Sequence, residues 1–135
     1  MHKVLTILSI SLVLLISCKS GREHANEYIK EAQVKESLHD NKAAYELYTK
    51  AISSDPSYAT SWYYRGNNLF NQNDIKGAIA DYSRAIELKP NFADAYANRG
   101  DAYFTLGSKD KACPDYLKAE ELGKPDMYEK TKWCK

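Results

Sequence analysis

The chain has 135 residues, 44% of them hydrophobic and 27% charged, a makeup that admits one compact globular domain and excludes a disordered tail. Lys and Arg number 19 against 18 Asp and Glu, so loss of a leader containing Lys3 would leave 18 against 18. A neutral surface with no basic block gives no electrostatic reason to bind nucleic acid or an acidic lipid surface.

The first element is Met1-His2-Lys3, a short positive region, followed by an apolar run from Val4 to Ile16. These 13 residues are fewer than the roughly 20 a helix needs to cross a bilayer core, so a secretory leader fits better than a permanent span. At its end stands Leu15-Ile16-Ser17-Cys18, which resembles the lipobox of bacterial lipoproteins: an aliphatic residue, a tolerated Ile, a small residue, then the cysteine that becomes lipidated. The resemblance implies a lipoprotein signal peptide over residues 1–17 and lipidation of Cys18. It also implies anchoring to a membrane of the bacterial cell envelope, the outer membrane in preference, facing the periplasm or the surface. Each buried methylene contributes about 0.8 kcal/mol, so two or more acyl chains anchor stably. Ordinary signal cleavage with Cys18 left free is the alternative. Residues 18–24, ending Lys19-Ser20-Gly21-Arg22-Glu23-His24, are expected to form a short polar tether of at most about 20 Å.

Beyond the tether the chain repeats itself at an offset of 34 residues. Tyr28, Ala32, Ala44, Tyr48, Ala51 and Pro56 recur as Trp62, Gly66, Ala78, Tyr82, Ala85 and Pro90. They recur again as Tyr96, Gly100, Ala112, Tyr116 and Ala119, with Lys124 alone departing from the pattern. This period and these residue types resemble the tetratricopeptide repeat (TPR) family. The resemblance implies an all-α, right-handed α-solenoid of three helix-turn-helix hairpins over residues 25–58, 59–92 and 93–126. The residue types have their own logic. Small residues let paired helices approach, and Trp62, Tyr82, Tyr96 and Tyr116 fill the space between hairpins.

Helix ends are legible too. Asp40, Asp74 and Ser108 are placed to cap the second helix of each copy, Ser57 and Asn91 to cap first helices, and Pro56 and Pro90 to stop the helix before them. Pro114 falls inside a second helix and predicts a kink or a late start. After Gly123, residues 127–135 are expected to form a short C-terminal capping helix with Met127, Thr131 and Cys134 on one face, covering the last repeat.

Motifs of catalysis are missing from this sequence: it contains no His-Glu-x-x-His, phosphate-binding glycine loop or Gly-x-Ser-x-Gly. No enzymatic activity, cofactor or small-molecule substrate is expected. Cys113 and Cys134 are expected to pair as a disulfide in an exported protein, tying the cap to the third repeat; two buried free thiols are the alternative. Two cysteines without a partnered histidine do not make a tetrahedral zinc site, so no metal is expected. Arg65 and Arg99 share one repeat position, Asp81 and Asp115 another, and the first copy lacks both, carrying Glu31 and Leu47. Their joint gain and loss predicts Arg-Asp pairs across each hairpin, with solvated charges as the alternative.

In the family that the repeats resemble, first helices line a concave groove. The facing positions map to Ile29, Gln33 and Glu36, then Tyr63, Asn67, Phe70 and Asn71, then Asp94, Ala97, Asp101, Phe104 and Thr105. Rings for contact area and amides for backbone hydrogen bonds suit a protein partner offering an extended peptide or a helix, and the acids lean the groove towards apolar or basic partners. Phe70 and Phe104 alternatively pack only between hairpins. Some family members grip a chaperone's C-terminal carboxylate with Lys, Asn and Arg, but Ile29, Gln33, Tyr64, Asp94 and Asn98 stand at those positions, so the positive clamp is missing. The expected role is a protein-protein interaction adaptor, with a self-associating structural or assembly lipoprotein as the second reading.

Overall fold

The computed structural model describes residues 19–134; the segment expected to be a leader and Cys18 lie outside them. Among the described residues there are seven helices and no strand: α1 Gly21–Ser37, α2 Asn41–Ser54, α3 Ala59–Asn71, α4 Ile75–Leu88, α5 Ala93–Thr105, α6 Lys109–Glu121 and α7 Tyr128–Thr131. The pairs α1–α2, α3–α4 and α5–α6 pack as helix-turn-helix hairpins. Hairpins join through α2 against α3 and α4 against α5, while α1 meets α3 and α3 meets α5, so the first helices adjoin one another along one layer. None of these helices is long and apolar enough to cross a membrane.

Sequence explains most of the boundaries. The turn inside each hairpin closes on one residue in the left-handed region, His39 (φ 61°), Asn73 (φ 65°) and Gly107 (φ 74°), spaced as the repeat is. The carboxylates of Asp40 and Asp74 then accept from the N–H groups of Ala43 and Gly77 at 3.1 and 3.0 Å, capping α2 and α4. Three capping expectations are not met. Ser108 makes no side-chain cap bond, because the Lys111 N–H turns to its carbonyl oxygen instead. The caps of α3 and α5 are Tyr58 and Phe92, not Ser57 or Asn91, and the Ser57 hydroxyl donates to Asp55 at 2.6 Å. Helix α6 starts at Lys109 and runs through Pro114, so the late start does not occur.

The tether is also shorter than expected, since Gly21 to His24 belong to α1. Ser20 and Glu23 form a reciprocal capping box, the Ser20 hydroxyl accepting from the Glu23 N–H at 3.2 Å and the Glu23 carboxylate from the Ser20 N–H at 2.6 Å. Gly21 lets this end lie against the next turn: a Cβ there would stand 2.3 Å from the Ser54 carbonyl oxygen. Arg22 then donates to Asp55 at 2.6 Å and lies over the Tyr58 ring.

The core is alanine-rich, with one buried tyrosine per hairpin: Tyr48, Tyr82 and Tyr116. At Gly66 and Gly100 the partner helix comes so close that a Cβ would stand 2.7 Å from the Tyr82 ring and 2.6 Å from the Tyr116 ring. Trp62 and Tyr96 pack with Phe92 around Ala85, Ile86 and Ala95, between the second and third hairpins.

Charge pairing follows the repeat. Arg65 donates to both Asp81 oxygens at 2.7 and 2.9 Å, and Arg99 to both Asp115 oxygens at 2.8 Å. Each guanidinium also reaches back one hairpin, Arg65 to the Thr49 hydroxyl at 3.3 Å and Arg99 to the Ser83 hydroxyl at 3.0 Å. The bonds to Asp81 and Asp115 raise the two arginine pKa values against the opposing effect of burial, so the guanidiniums stay charged. The first hairpin has no described neighbour on its outer side to reach back to, and Glu31 there is exposed while Leu47 is buried.

The C-terminal segment closes the stack. Met127 and Thr131 are buried against α6, the Thr131 hydroxyl donates to Glu120 at 2.9 Å, and Cys113 is bonded to Cys134 with a Cα–Cα distance of 5.4 Å.

Candidate functional site: an amide and aromatic groove

The Tyr of each second helix sends its hydroxyl through to a polar residue of the first. Tyr82 donates to Asn67 at 2.8 Å, Tyr116 to Asp101 at 2.7 Å, and Tyr48 to Glu36 at 2.9 Å. Burial raises all three phenol pKa values, so the hydroxyls remain donors. Asn98 extends the chain between hairpins, its amide N–H group donating to Asn67 at 2.8 Å and to the Tyr63 hydroxyl at 3.2 Å. Glu36 plays the same bridging part earlier, accepting from Asn68 at 2.9 Å.

These contacts shape a pocket of about 280 Å3 between the second and third hairpins, walled by Asn67, Phe70, Asn71, Tyr82, Asn98 and Asp101. Asn67 Oδ1 takes two donors, and among the described residues its amide nitrogen makes no hydrogen bond and Asn98 Oδ1 accepts none. The bonded Asn67 and Asn98 amides thus offer a donor and an acceptor in a pocket that Phe70 also walls. That combination can hydrogen-bond one peptide unit while an adjoining side chain packs on the ring. A second pocket of about 190 Å3 shares Asp101 and is walled by Phe104, Tyr116, Glu129, Lys130 and Trp133.

The residues mapped to the groove divide accordingly. Asn67, Phe70, Asn71 and Asp101 come together in the first pocket, and Asp101 and Phe104 in the second. Tyr63 stands beside the first, its ring packed on Tyr64, Tyr82 and Phe92. Phe70 does both of the things weighed for it, packing against Ile75, Ala78, Tyr82 and Ala102 and walling the pocket. Ile29 and Ala97 are buried in hairpin cores and present no groove surface. Gln33 is exposed, and Thr105 turns to the loop side with Leu106, Asn73 and Ile75, its hydroxyl bonded to the Asp101 carbonyl at 2.8 Å.

The acidic lean expected of the groove is offset from within. Asp94 pairs with Lys124, and Lys130 donates to both oxygens of Asp101 at 2.6 and 2.7 Å. Glu36 instead accepts from neutral donors, the Tyr48 hydroxyl and the Asn68 amide. Tyr82, Tyr116, Glu129, Lys130 and Trp133 escaped sequence reasoning as wall residues, and Asn98 was read there only as a position lacking the positive clamp. Tyr82 carried a signal in its strict spacing with Tyr48 and Tyr116, but spacing does not say that a core ring sends its hydroxyl to the groove. Among the described residues no cluster of His, Cys, Asp or Glu forms a metal-binding group.

Comparison with known proteins agrees with this architecture. Residues 66–107 match a family profile described as TPR repeat, and residues 93–122 one described as tetratricopeptide repeat. Residues 66–122 thus match tetratricopeptide repeats, and the described helices pack throughout as TPR helix-turn-helix repeats, a scaffold whose members are typically non-enzymatic. No curated protein sequence matches it. Among solved structures it is similar to the first TPR domain of Spaghetti (RPAP3) bound to the HSP90 peptide SRMEEVD, at 21% identity and a TM-score of 0.80, covering 87% of this chain and 94% of that one. The Arabidopsis OM64 TPR domain follows at 19% identity and a TM-score of 0.78 over 85% and 96% of the two chains. MamA matches at 25% identity and a TM-score of 0.70 over 80% and 68%.

Proposed function

We propose that this protein is a non-enzymatic adaptor of the bacterial cell envelope, anchored through a lipidated Cys18, that holds an extended peptide or partner helix in its concave groove. The observation that carries the reading is the pocket that Phe70 walls together with the unengaged Asn67 amide nitrogen and Asn98 amide oxygen. Two Spaghetti TPR domains of similar fold carry a peptide in their structures, which supports peptide binding as a use of this scaffold. The ligand here differs in kind from their acidic SRMEEVD peptide, because the groove walls offer amides and rings where a positive clamp would be needed. Anchoring rests on the leader and on Leu15-Ile16-Ser17-Cys18.

Site-specific photocrosslinking in native membranes tests both halves. A crosslinker at Asn71, on the groove, is expected to trap another polypeptide that one at Arg84, exposed on α4, does not trap. Cys18→Ser is expected to release the chain from the membrane fraction. Equal trapping from both positions contradicts the groove, and an unchanged membrane fraction contradicts the anchor.

A further inference from the structure

We propose that the disulfide-tied C-terminal segment builds a second chamber of the groove, and that this chamber takes an uncharged apolar side chain of the polypeptide held in the first. The inference rests on the groove reading above. The segment does more than cover the end of the stack: Met127, Thr131 and Cys134 face α6, whereas Lys130 and Trp133 reach round to the groove. Trp133 packs its ring 5.7 Å from Phe104 and edge-on to Tyr116 at 6.2 Å, making an aromatic wall. Phe104 and Trp133 remain 46% and 39% exposed, so rings gathered here still face solvent.

The charge arrangement selects the occupant. Asp101 and Lys130 neutralise each other across the chamber, and Glu129 pairs with Lys132 on its rim. A charged side chain entering would displace one of these partners and gain nothing that the pair does not already supply. An apolar side chain gains contact with three rings and disturbs no ion pair. Asp101 belongs to both chambers, so they adjoin, and a peptide bonded at Asn67 and Asn98 has the second within reach of its next side chains.

The chamber depends on the disulfide. Helix α7 has four residues, too few to persist by its own hydrogen bonds, and it is held by the bond from Cys134 to Cys113, the Thr131–Glu120 hydrogen bond and the Lys130–Asp101 pair. Reduction removes the one covalent tie and leaves the two polar contacts and the burial of Met127 and Thr131 to keep Trp133 over Phe104.

The test titrates N-acetyl-phenylalanine methylamide, and in parallel its lysine and aspartate counterparts, into the 15N-labelled chain carrying Cys18→Ser. The phenylalanine probe is expected to give saturable shifts at the Trp133 indole N–H and the Phe104 amide, at least tenfold tighter than the charged probes. C113S/C134S is expected to weaken the Phe104 response at least tenfold while the Asn67 and Asn98 side-chain signals keep their positions, which verifies that the hairpins remain folded. Trp133→Ala, with the disulfide intact, should weaken it as much. Responses at Asn67 and Asn98 without any at Phe104, equal affinity for all three probes, or a Phe104 response unchanged in C113S/C134S would each overturn the second chamber and leave the groove standing. Silence at both chambers would remove the groove reading along with it.

Discussion

Ser61 lies fully buried on α3 with its hydroxyl unbonded, and one repeat later the same position holds Ala95, equally buried. A buried hydroxyl without a partner costs about 1 to 3 kcal/mol, so Ser61→Ala should raise the chain's stability by about 1 kcal/mol in a urea titration. Gly66→Ala should act in the opposite sense. The helix propensity gain of up to about 1 kcal/mol is outweighed by driving a methyl group into the Tyr82 ring, and a net loss of about 1 to 2 kcal/mol is expected in the same measurement. Both effects belong to positions whose residue type was readable: Gly66 and Gly100 announced a close approach by recurring. Ile29 and Ala97 show where such reading stops. A helical wheel separates a buried face from an exposed one, but groove positions border the core, and a shift of one place around the helix exchanges them.

Two kinds of device hold the elements in register. The Arg65–Asp81 and Arg99–Asp115 pairs were legible from their joint absence in the first copy; that each Arg also grips the preceding hairpin was not, since Thr49 and Ser83 are ordinary surface types until the fold brings them near. A double-mutant cycle on Arg65 and Asp81 should return a coupling of at least about 1 kcal/mol, and additive losses would contradict the pairing. The Cys113–Cys134 bond spans 21 residues, and such a closure contributes on the order of 3 kcal/mol. Its removal should lower the unfolding midpoint accordingly. At the other end, Asp55 has its pKa lowered by Ser57 and then Arg22. A lowered folded value means stability that is present above the unfolded carboxylate pKa and lost as pH falls through the folded one. Asp55→Asn should therefore flatten the acid limb of the stability curve below about pH 4 and leave its neutral slope unchanged. The early start of α1 went unread because Ser20 and Glu23 sit in a polar stretch where an apolar periodicity gives no warning of a helix; the capping box itself was the available signal.

At the scale of the molecule, the pairing of helices into hairpins was legible, because a 34-residue period repeated three times constrains the paired helices together. The groove was legible as a list of residue types and not as a shape. Its acids looked free in the sequence, and only folding brought Lys124 and Lys130 back onto Asp94 and Asp101 from the C-terminal segment. What remains to meet a partner is an amide pair, a set of rings and an adjoining chamber, a surface suited to backbone and apolar groups more than to charge.

The central claim is that this inner curve grips another polypeptide through Asn67, Asn98 and Phe70. The direct measurement is calorimetric titration of the chain with the tightest peptide selected from a random extended library, repeated with the doubly substituted N67A/N98A and with F70A. The account predicts at least a tenfold loss of affinity in each, with the unfolding midpoint of F70A checked separately because that ring also packs in the core. Binding unchanged in N67A/N98A, or a selected peptide whose footprint lies outside α3 and α5, would contradict it.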